Sequence, residues 1–179
     1  MDFNRQAILS NDRIQLLPLV AADFEALYEV AADPDVWAQH PNKDRWQEAV
    51  FRTFFAGAMQ SQGAFKVLEK ETQKLLGSSR FYDYEPADNS VFIGYTFYGK
   101  DTWGTGVNHI VKRLMLDYCF KYVSQVYFHI GASNLRSQVA IERLGAEKIA
   151  EETVAYVGEA NRLNFRYRIL KENWLNSQK

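Results

Sequence analysis

The sequence has one cysteine, Cys119, and almost no net charge, and each scarcity excludes a class of function. A single thiol forms neither an internal disulfide nor a multi-cysteine zinc site, which suits a reducing compartment. With 21 basic and 22 acidic residues the formal net charge is −1, so no global field attracts nucleic acid or an anionic membrane. Any anion site must therefore be built locally.

Long apolar runs are also missing. No window approaches the roughly 20 apolar residues of a membrane span, and residues 1–6 lack the basic and apolar stretches of a signal peptide. We therefore expect a cytoplasmic protein with no membrane partner and no metal. The 179 residues fit one domain, residues 1–179, and the hydrophobic fraction of 47% with 15% aromatics predicts a large aromatic core.

The order of predicted elements indicates an α+β chain in which helices cover both faces of a mixed, mostly antiparallel sheet of about seven strands. Pro18 removes a ladder donor, so the first strand is expected at an edge. Asp23 is a candidate N-cap, and Asp33-Pro34 should end the first helix. The predicted strands are 14–20, 64–69, 74–84, 90–98, 125–132, 148–157 and 163–170. The predicted helices are 24–32, 45–60 and 134–144, and residues 104–122 are predicted to form a glycine loop that enters a long helix.

Two glycines, Gly104 and Gly106, lie between a buried predicted strand and a long predicted helix. Free amides at a helix start, reinforced by the helix dipole, bind anions, and glycines let a phosphate approach the backbone. By itself such a pair also fits an ordinary turn. A Walker loop is absent, and a Rossmann fingerprint would need glycine at His109. Positive charge could come from nearby basic residues, which are Lys100, Lys112 and Arg113.

Three segments together resemble the GNAT acetyltransferases, and more narrowly the branch with the RimJ/RimL ribosomal-protein N-terminal acetyltransferases. They are Ile-Gly-Tyr-Thr-Phe at 93–97, Trp-Gly-Thr-Gly-Val-Asn at 103–108 and Asn-Leu-Arg-Ser-Gln-Val-Ala-Ile-Glu-Arg-Leu-Gly-Ala at 134–146. The resemblance extends from residue 14 to about 174. Trp103 and Asn108 depart from the general pattern Gln/Arg-x-x-Gly-x-Gly/Ala, but they are similar to a variant of this branch.

The resemblance implies a GNAT-like three-layer fold whose sheet splays between strands 90–98 and 125–132. Acetyl-CoA would be the co-substrate, with pantetheine in the opening. The residues implied to bind it are Tyr95, Thr96, Phe97, Trp103, Gly104, Thr105, Gly106, Val107, Asn108, His109, Asn134 and Ser137.

Acetyl transfer needs a neutral amine and a proton for the departing thiolate. Asn134 fits a helix N-cap, and Ser137 shares the inward face of that helix with Ala140 and Ile141. The family resemblance implies that a serine or tyrosine at this position approaches the thiol, so Ser137 is the candidate acid. A local backbone hydrogen bond is the alternative role of Ser137. Strand 90–98 carries no carboxylate, so candidates for the base are His129, Asp83, Glu85 and a water chain.

The leading hypothesis is an N-acetyltransferase acting directly on a primary amine, either a protein N-terminus or a small molecule. A non-catalytic acyl-CoA-binding module and a structural interaction protein are the alternatives, and a homodimer stays open. Cys119 fits a core position rather than a nucleophile. Seven aromatics could be core or could line an acceptor pocket, with core favoured, namely Phe24, Tyr28, Trp37, Trp46, Phe51, Phe54 and Phe55.

Overall fold

The computed structural model describes residues 2–155 and 160–178, in which one sheet of eight strands has the order β1-β2-β3-β4-β5-β6-β8-β7. All neighbouring strands are antiparallel except β5 and β6, so the expected mixed sheet with mostly antiparallel pairing is confirmed. The strands are β1 (Leu9–Ser10), β2 (Ile14–Pro18), β3 (Ala64–Glu69), β4 (Leu75–Glu85), β5 (Ser90–Tyr98), β6 (Gln125–Gly131), β7 (Glu147–Val154) and β8 (Arg162–Leu170).

The described residues form six α-helices, and two of them were not predicted from the sequence. The helices are α1 (Phe24–Ala31), α2 (Pro34–Trp37), α3 (Glu48–Ser61), α4 (Val107–Cys119), α5 (Leu135–Glu142) and α6 (Lys171–Ser177). Pro34 occupies the first turn of α2, where its missing N–H costs nothing, and the Asp33 carboxylate accepts from the Asp35 amide. Helices α2 and α6 are too short to show a clear period in the sequence.

Several boundary predictions need correction. Strand β2 is not the edge, because the two-residue β1 pairs outside it. Asp23 precedes α1 without capping it, since its carboxylate accepts from the Val20 amide and from Lys66 instead. Strand β7 ends at Val154, and the rest of the predicted strand includes residues 156 and 157, which lie outside the described part of the chain.

Strands β5 and β6 separate soon after they begin. They pair in parallel at three positions only, from Ser90 with Gln125 to Phe92 with Tyr127. Beyond these pairs the two strands diverge, so the later half of β5 lacks a strand partner on that side. The splay implied by the family resemblance is therefore present, and it opens toward the ends of both strands.

Two apolar clusters occupy the two faces of the sheet. Helix α4 packs on one face through Val111, Met115 and Cys119, and the helices α1 to α3 supply most of the other cluster through aromatic side chains. Helices thus cover both faces of the sheet. Within residues 2–155 and 160–178, every helix is too short or too polar to cross a membrane.

Candidate active site

A cavity of about 560 Å³ fills the opening between β5 and β6. Its wall combines the end of β5, the loop before α4, the end of β6 and the first turns of α5. Of the twelve residues predicted to bind the co-substrate, only Thr105 is absent from the wall. Among the described residues of the wall, four are lysine or arginine and none is aspartate or glutamate, which favours an anionic ligand.

The loop before α4 has the geometry of an anion site. Gly104 and Gly106 have φ values of +74° and +82°, which glycine adopts without strain, and a Cβ at either would meet nothing within 4 Å. The first helical hydrogen bond runs from the Ile110 amide to the Gly106 carbonyl, so the three preceding amides have no acceptor in the helix. The open space and these amides together fit the pyrophosphate of CoA.

Thr105 does not line the cavity, and its hydrogen bonds lie within the loop and to Arg13. Its hydroxyl donates to the Thr102 carbonyl at 2.6 Å, and its own carbonyl accepts from Arg13 at 2.9 Å. These bonds fix the shape of the loop from outside the cavity. Trp103 does line the cavity, where its ring lies 4.3 Å from the Arg136 guanidinium.

Of the three basic residues expected near the loop, only Lys112 reaches the cavity. Lys100 pairs with Asp33 and Asp35, and Arg113 donates to Gln178 on the outer side of α4. Lys112 is 4% exposed, and its Nζ lies 2.5 Å from Thr96 Oγ1 and 3.2 Å from Ser79 Oγ. Burial lowers the pKa of Lys112 from 10.5 to about 7.

Strand β5 bulges where it faces the cavity. Ser78 pairs with Phe97 and Arg80 pairs with Gly94, so Ser79 alone opposes two residues, Tyr95 and Thr96. Tyr95 has φ of +52°, a left-handed conformation that is costly for a side chain with a Cβ. The buried Arg80 guanidinium lies 3.8 Å from the Tyr95 ring and supports it.

The start of α5 agrees with the sequence prediction. Asn134 is 4% exposed and its Oδ1 accepts from the Ser137 amide at 3.2 Å, which is the expected N-cap. Both residues line the cavity. In the described part of the chain the Ser137 hydroxyl makes no hydrogen bond, so the local backbone bond considered as its alternative role is not formed.

His129 lies at the cavity in a charged cluster from three strands. Its Nε2 is 2.9 Å from Glu152 Oε2, and Glu152 also accepts from Arg166. Because a carboxylate only accepts, this contact places the proton of a neutral His129 on Nε2 and leaves a lone pair on Nδ1. Nδ1 is buried without a partner among the described residues. Burial lowers the pKa of His129, and the hydrogen bond and charge of Glu152 partly oppose this.

Other candidates from the sequence lie away from the cavity. Asp83 and Glu85 are exposed on β4 and line no part of it. Cys119 is fully buried in the α4 core, and burial raises the pKa of its thiol, as expected of a core residue. None of the seven aromatics considered for an acceptor pocket lines the cavity; five are buried in the core, while Tyr28 is half-buried and Trp46 is 39% exposed.

Comparison with known proteins decides the family. The profile of the acetyltransferase (GNAT) domain matches residues 13–147, about three quarters of the chain. This chain belongs to the GNAT acetyltransferase family. It is accordingly an enzyme of the acyltransferase class.

Solved GNAT-type structures superpose on most of the chain. A GNAT-family protein from Chromobacterium violaceum gives a TM-score of 0.82 at 21% identity, covering 94% of this chain and 88% of its own. A protein assigned as an acetyltransferase from T. thermophilus gives 0.77 at 25% identity, covering 94% and 92%. Spermidine N-acetyltransferase from Vibrio cholerae, solved with CoA and spermine, gives 0.71 at 15% identity, covering 93% and 100%.

The GNAT cavity also contains groups that the sequence prediction did not select. Tyr98 contributes a buried phenol whose oxygen has no partner in the described chain, and His40 and Arg45 come from the segment after α2. The pKa of His40 is lowered to about 3, first by burial and then by Arg45 and Arg136, so this imidazole is neutral. The sequence did hold a sign that Lys112 is buried, because Met115, Leu116 and Cys119 follow it on the same apolar face of the helix.

Proposed function

We propose that this GNAT enzyme transfers the acetyl group of acetyl-CoA to a primary amine by direct attack in a ternary complex. The observation that supports this most strongly is that one cavity, at the splay of β5 and β6, is lined by the α4 loop, Ser137 and His129. The proposed phosphate site, the candidate acid and the candidate base thus share one space. The single, buried cysteine suits a cytoplasmic enzyme.

Acetyl-CoA would be held along the length of the cavity. The amides of Gly106, Val107, Asn108 and His109 would bind the pyrophosphate, with Gly104 and Trp103 beside them. Pantetheine would pair with the backbone of β5 at Tyr95, Thr96 and Phe97, where no β6 partner is present. The Asn134 side chain would add a polar contact at the start of α5.

His129 would act as the general base and Ser137 as the general acid. An acceptor ammonium gives one proton to His129 Nδ1 and becomes a neutral amine, whose nitrogen then attacks the thioester carbonyl carbon. As the carbon–sulfur bond breaks, the thiolate takes the Ser137 hydroxyl proton. The nitrogen then gives its second proton to the Ser137 oxygen, which restores the hydroxyl. The products are the amide and the CoA thiol, and the proton held by His129 is released to solvent.

The acceptor is proposed as an α-amine of a protein N-terminus or a small-molecule amine. The resemblance of residues 103–108 to the RimJ/RimL variant supports the first, and the spermidine N-acetyltransferase among the structural neighbours supports testing the second. An α-amine has a pKa near 8, so a useful fraction is neutral at physiological pH and a weakly basic His129 would suffice.

Thiol release from acetyl-CoA in the presence of an amine panel tests the proposal. The panel should contain peptides with free N-termini, amino acids and polyamines, each with an N-acetylated version as the matched control. We expect release that depends on a free amine and stoichiometric acetyl-amine by mass spectrometry. Tight CoA binding without amine-dependent release across the panel would instead support a non-catalytic acyl-CoA-binding module.

A further inference from the structure

Lys112 has surroundings that are unusual for a lysine. It lies on the buried face of α4 with Met115, Leu116 and Cys119, and no carboxylate of residues 2–155 or 160–178 lies within 4.0 Å of its Nζ. A buried cation without a counter-charge costs free energy, because desolvation is not repaid by an ion pair. Its place at the cavity wall therefore calls for a functional explanation.

Lys112 binds two hydroxyls at the bulge, Thr96 on β5 and the opposing Ser79 on β4, and these hydroxyls also bind each other. Ser79 Oγ and Thr96 Oγ1 are 2.8 Å apart, and Lys112 Nζ contacts both. A lysine ammonium only donates, so it fills one acceptor site on each hydroxyl. If Ser79 then donates to Thr96, the Thr96 proton has one weak protein acceptor, the Gly94 carbonyl at 3.4 Å.

With Ser79 as the donor of this pair, the Thr96 proton is available to the cavity. Ser79 is fully buried on β4, whereas Thr96 is half-buried and lines the cavity beside the strained Tyr95. A hydroxyl that accepts a bond from a cation is a stronger donor, because the positive charge polarises its O–H bond. The charge of Lys112 would thus act at the wall where β5 has no strand partner.

We propose that Thr96 is a catalytic hydrogen-bond donor to the thioester carbonyl oxygen and that Lys112 is the positioning residue that orients and polarises its hydroxyl. This inference rests on the proposed acetyl transfer. It assigns to Thr96 the stabilisation of the negative charge that develops on the carbonyl oxygen during the reaction. Preorganised donors in a site without bulk water contribute strongly, since they need no rearrangement during the reaction.

The charge environment of Lys112 is consistent with this role. The groups that face it are the Ser79 hydroxyl on β4 and the Thr96 hydroxyl on β5, and burial alone causes its lowered pKa. Negative charge that develops nearby will favour the protonated lysine. Polarisation of the Thr96 hydroxyl requires protonated Lys112. The contribution of Lys112 to kcat is therefore lost as pH rises through the pKa of Lys112 in the complex.

Two variants test the proposal, with carbonyl polarisation and kinetics as readouts. Thr96→Val and Lys112→Met remove the hydroxyl and the charge while keeping similar volume. With acetyl-CoA labelled by ¹³C at the carbonyl, infrared difference spectra of the bound thioester should show a lower C=O stretch in the wild type than in either variant. We expect kcat to fall about 100-fold in each, with the KM for acetyl-CoA changed less than threefold.

Further variants separate positioning from a merely structural role. Because the two residues act as a unit, the double variant should lose no more than threefold beyond either single variant. Lys112→Arg should keep part of the rate and should not lose activity at alkaline pH. Lys121→Met, the same replacement at an exposed site after α4, is the control and should match the wild type.

The outcomes distinguish the two proposals. A bound carbonyl stretch that is identical in wild type, Thr96→Val and Lys112→Met would overturn the inference, and so would unchanged kcat in an active enzyme. The infrared readout needs only bound acetyl-CoA. If the wild type polarises the bound carbonyl but releases no thiol with any amine, the result would contradict the proposed acetyl transfer and would still support Thr96 as the donor to the carbonyl oxygen.

Discussion

Replacing Lys112 by methionine should stabilise the folded protein, even though it should lower activity. The pKa of Lys112 is about 7 in the folded state against 10.5 for an ordinary lysine. Between these pH values the unfolded chain binds more protons, so wild-type stability from this group rises as pH increases from 7 to 10.5. Since one pKa unit corresponds to about 1.4 kcal/mol, the penalty below pH 7 is about 5 kcal/mol.

The methionine variant loses two hydrogen bonds to hydroxyls, worth about 1 kcal/mol each. The hydroxyls of Ser79 and Thr96 keep their bond to each other, so neither is left unsatisfied. We therefore expect Lys112→Met to be about 3 kcal/mol more stable near pH 6 and about equal to the wild type near pH 9.

Urea unfolding of both proteins from pH 6 to pH 9, followed by circular dichroism, gives the free energy of unfolding. The difference between the two proteins, rather than either curve, isolates Lys112, because all other titrating groups are shared. Parallel stability curves would show that the lysine is not desolvated in the folded state, and they would also remove the electrostatic argument for Thr96. Lys121→Met should leave the pH dependence unchanged.

Three further predictions concern the site. Ser137→Ala should lower kcat about 100-fold and change CoA affinity, measured by calorimetry, less than threefold. The control Ser133→Ala is exposed outside the cavity and should leave both kcat and CoA affinity unchanged. An unchanged kcat in Ser137→Ala would exclude the acid role. Glu152→Gln removes a charge that raises the pKa of His129, so the acid limb of the kcat profile should move to lower pH; an unmoved limb would argue against His129 as base. Gly106→Ala should raise the KM for acetyl-CoA about tenfold. The control Gly145→Ala has a similar φ but lies outside the cavity, so it should lose about as much stability as Gly106→Ala, about 1–2 kcal/mol, without a change in the KM for acetyl-CoA. The same KM for Gly106→Ala and Gly145→Ala would exclude the loop as the anion site.

The sequence predicted the central strands well because their signals are local. Strands β3 and β5 have the predicted bounds, since apolar runs end there at polar turns. By contrast, β1 has two residues and α6 has seven, which is too short for a period to be read. Helix α6 is fixed by a tertiary contact instead, in which Trp174 donates to Asp117 at 2.8 Å.

The geometry of the candidate site was predictable where it depends on one loop or one helix, and unpredictable where it depends on sheet register. The N-cap by Asn134 follows from residues three apart. The partner of His129 is 23 residues away, and it comes close only because β8 pairs with both β6 and β7. Lys112 was expected to add positive charge because it is near the loop in the sequence, and only the structure brings the hydroxyls of β4 and β5 to it.

The opening between β5 and β6 explains why the groups proposed to bind and to react meet in one place. A sheet that separates in its middle leaves backbone donors and acceptors of β5 without a strand partner, and such groups are costly when buried. A ligand that carries its own amides, as pantetheine does, can pair with them and lower that cost. The bulge at Tyr95 interrupts regular pairing at the same level and turns Thr96 to the α4 side, where Lys112 contacts it. Backbone pairing would then fix how far the thioester enters, while the bulge fixes which side chain meets its carbonyl.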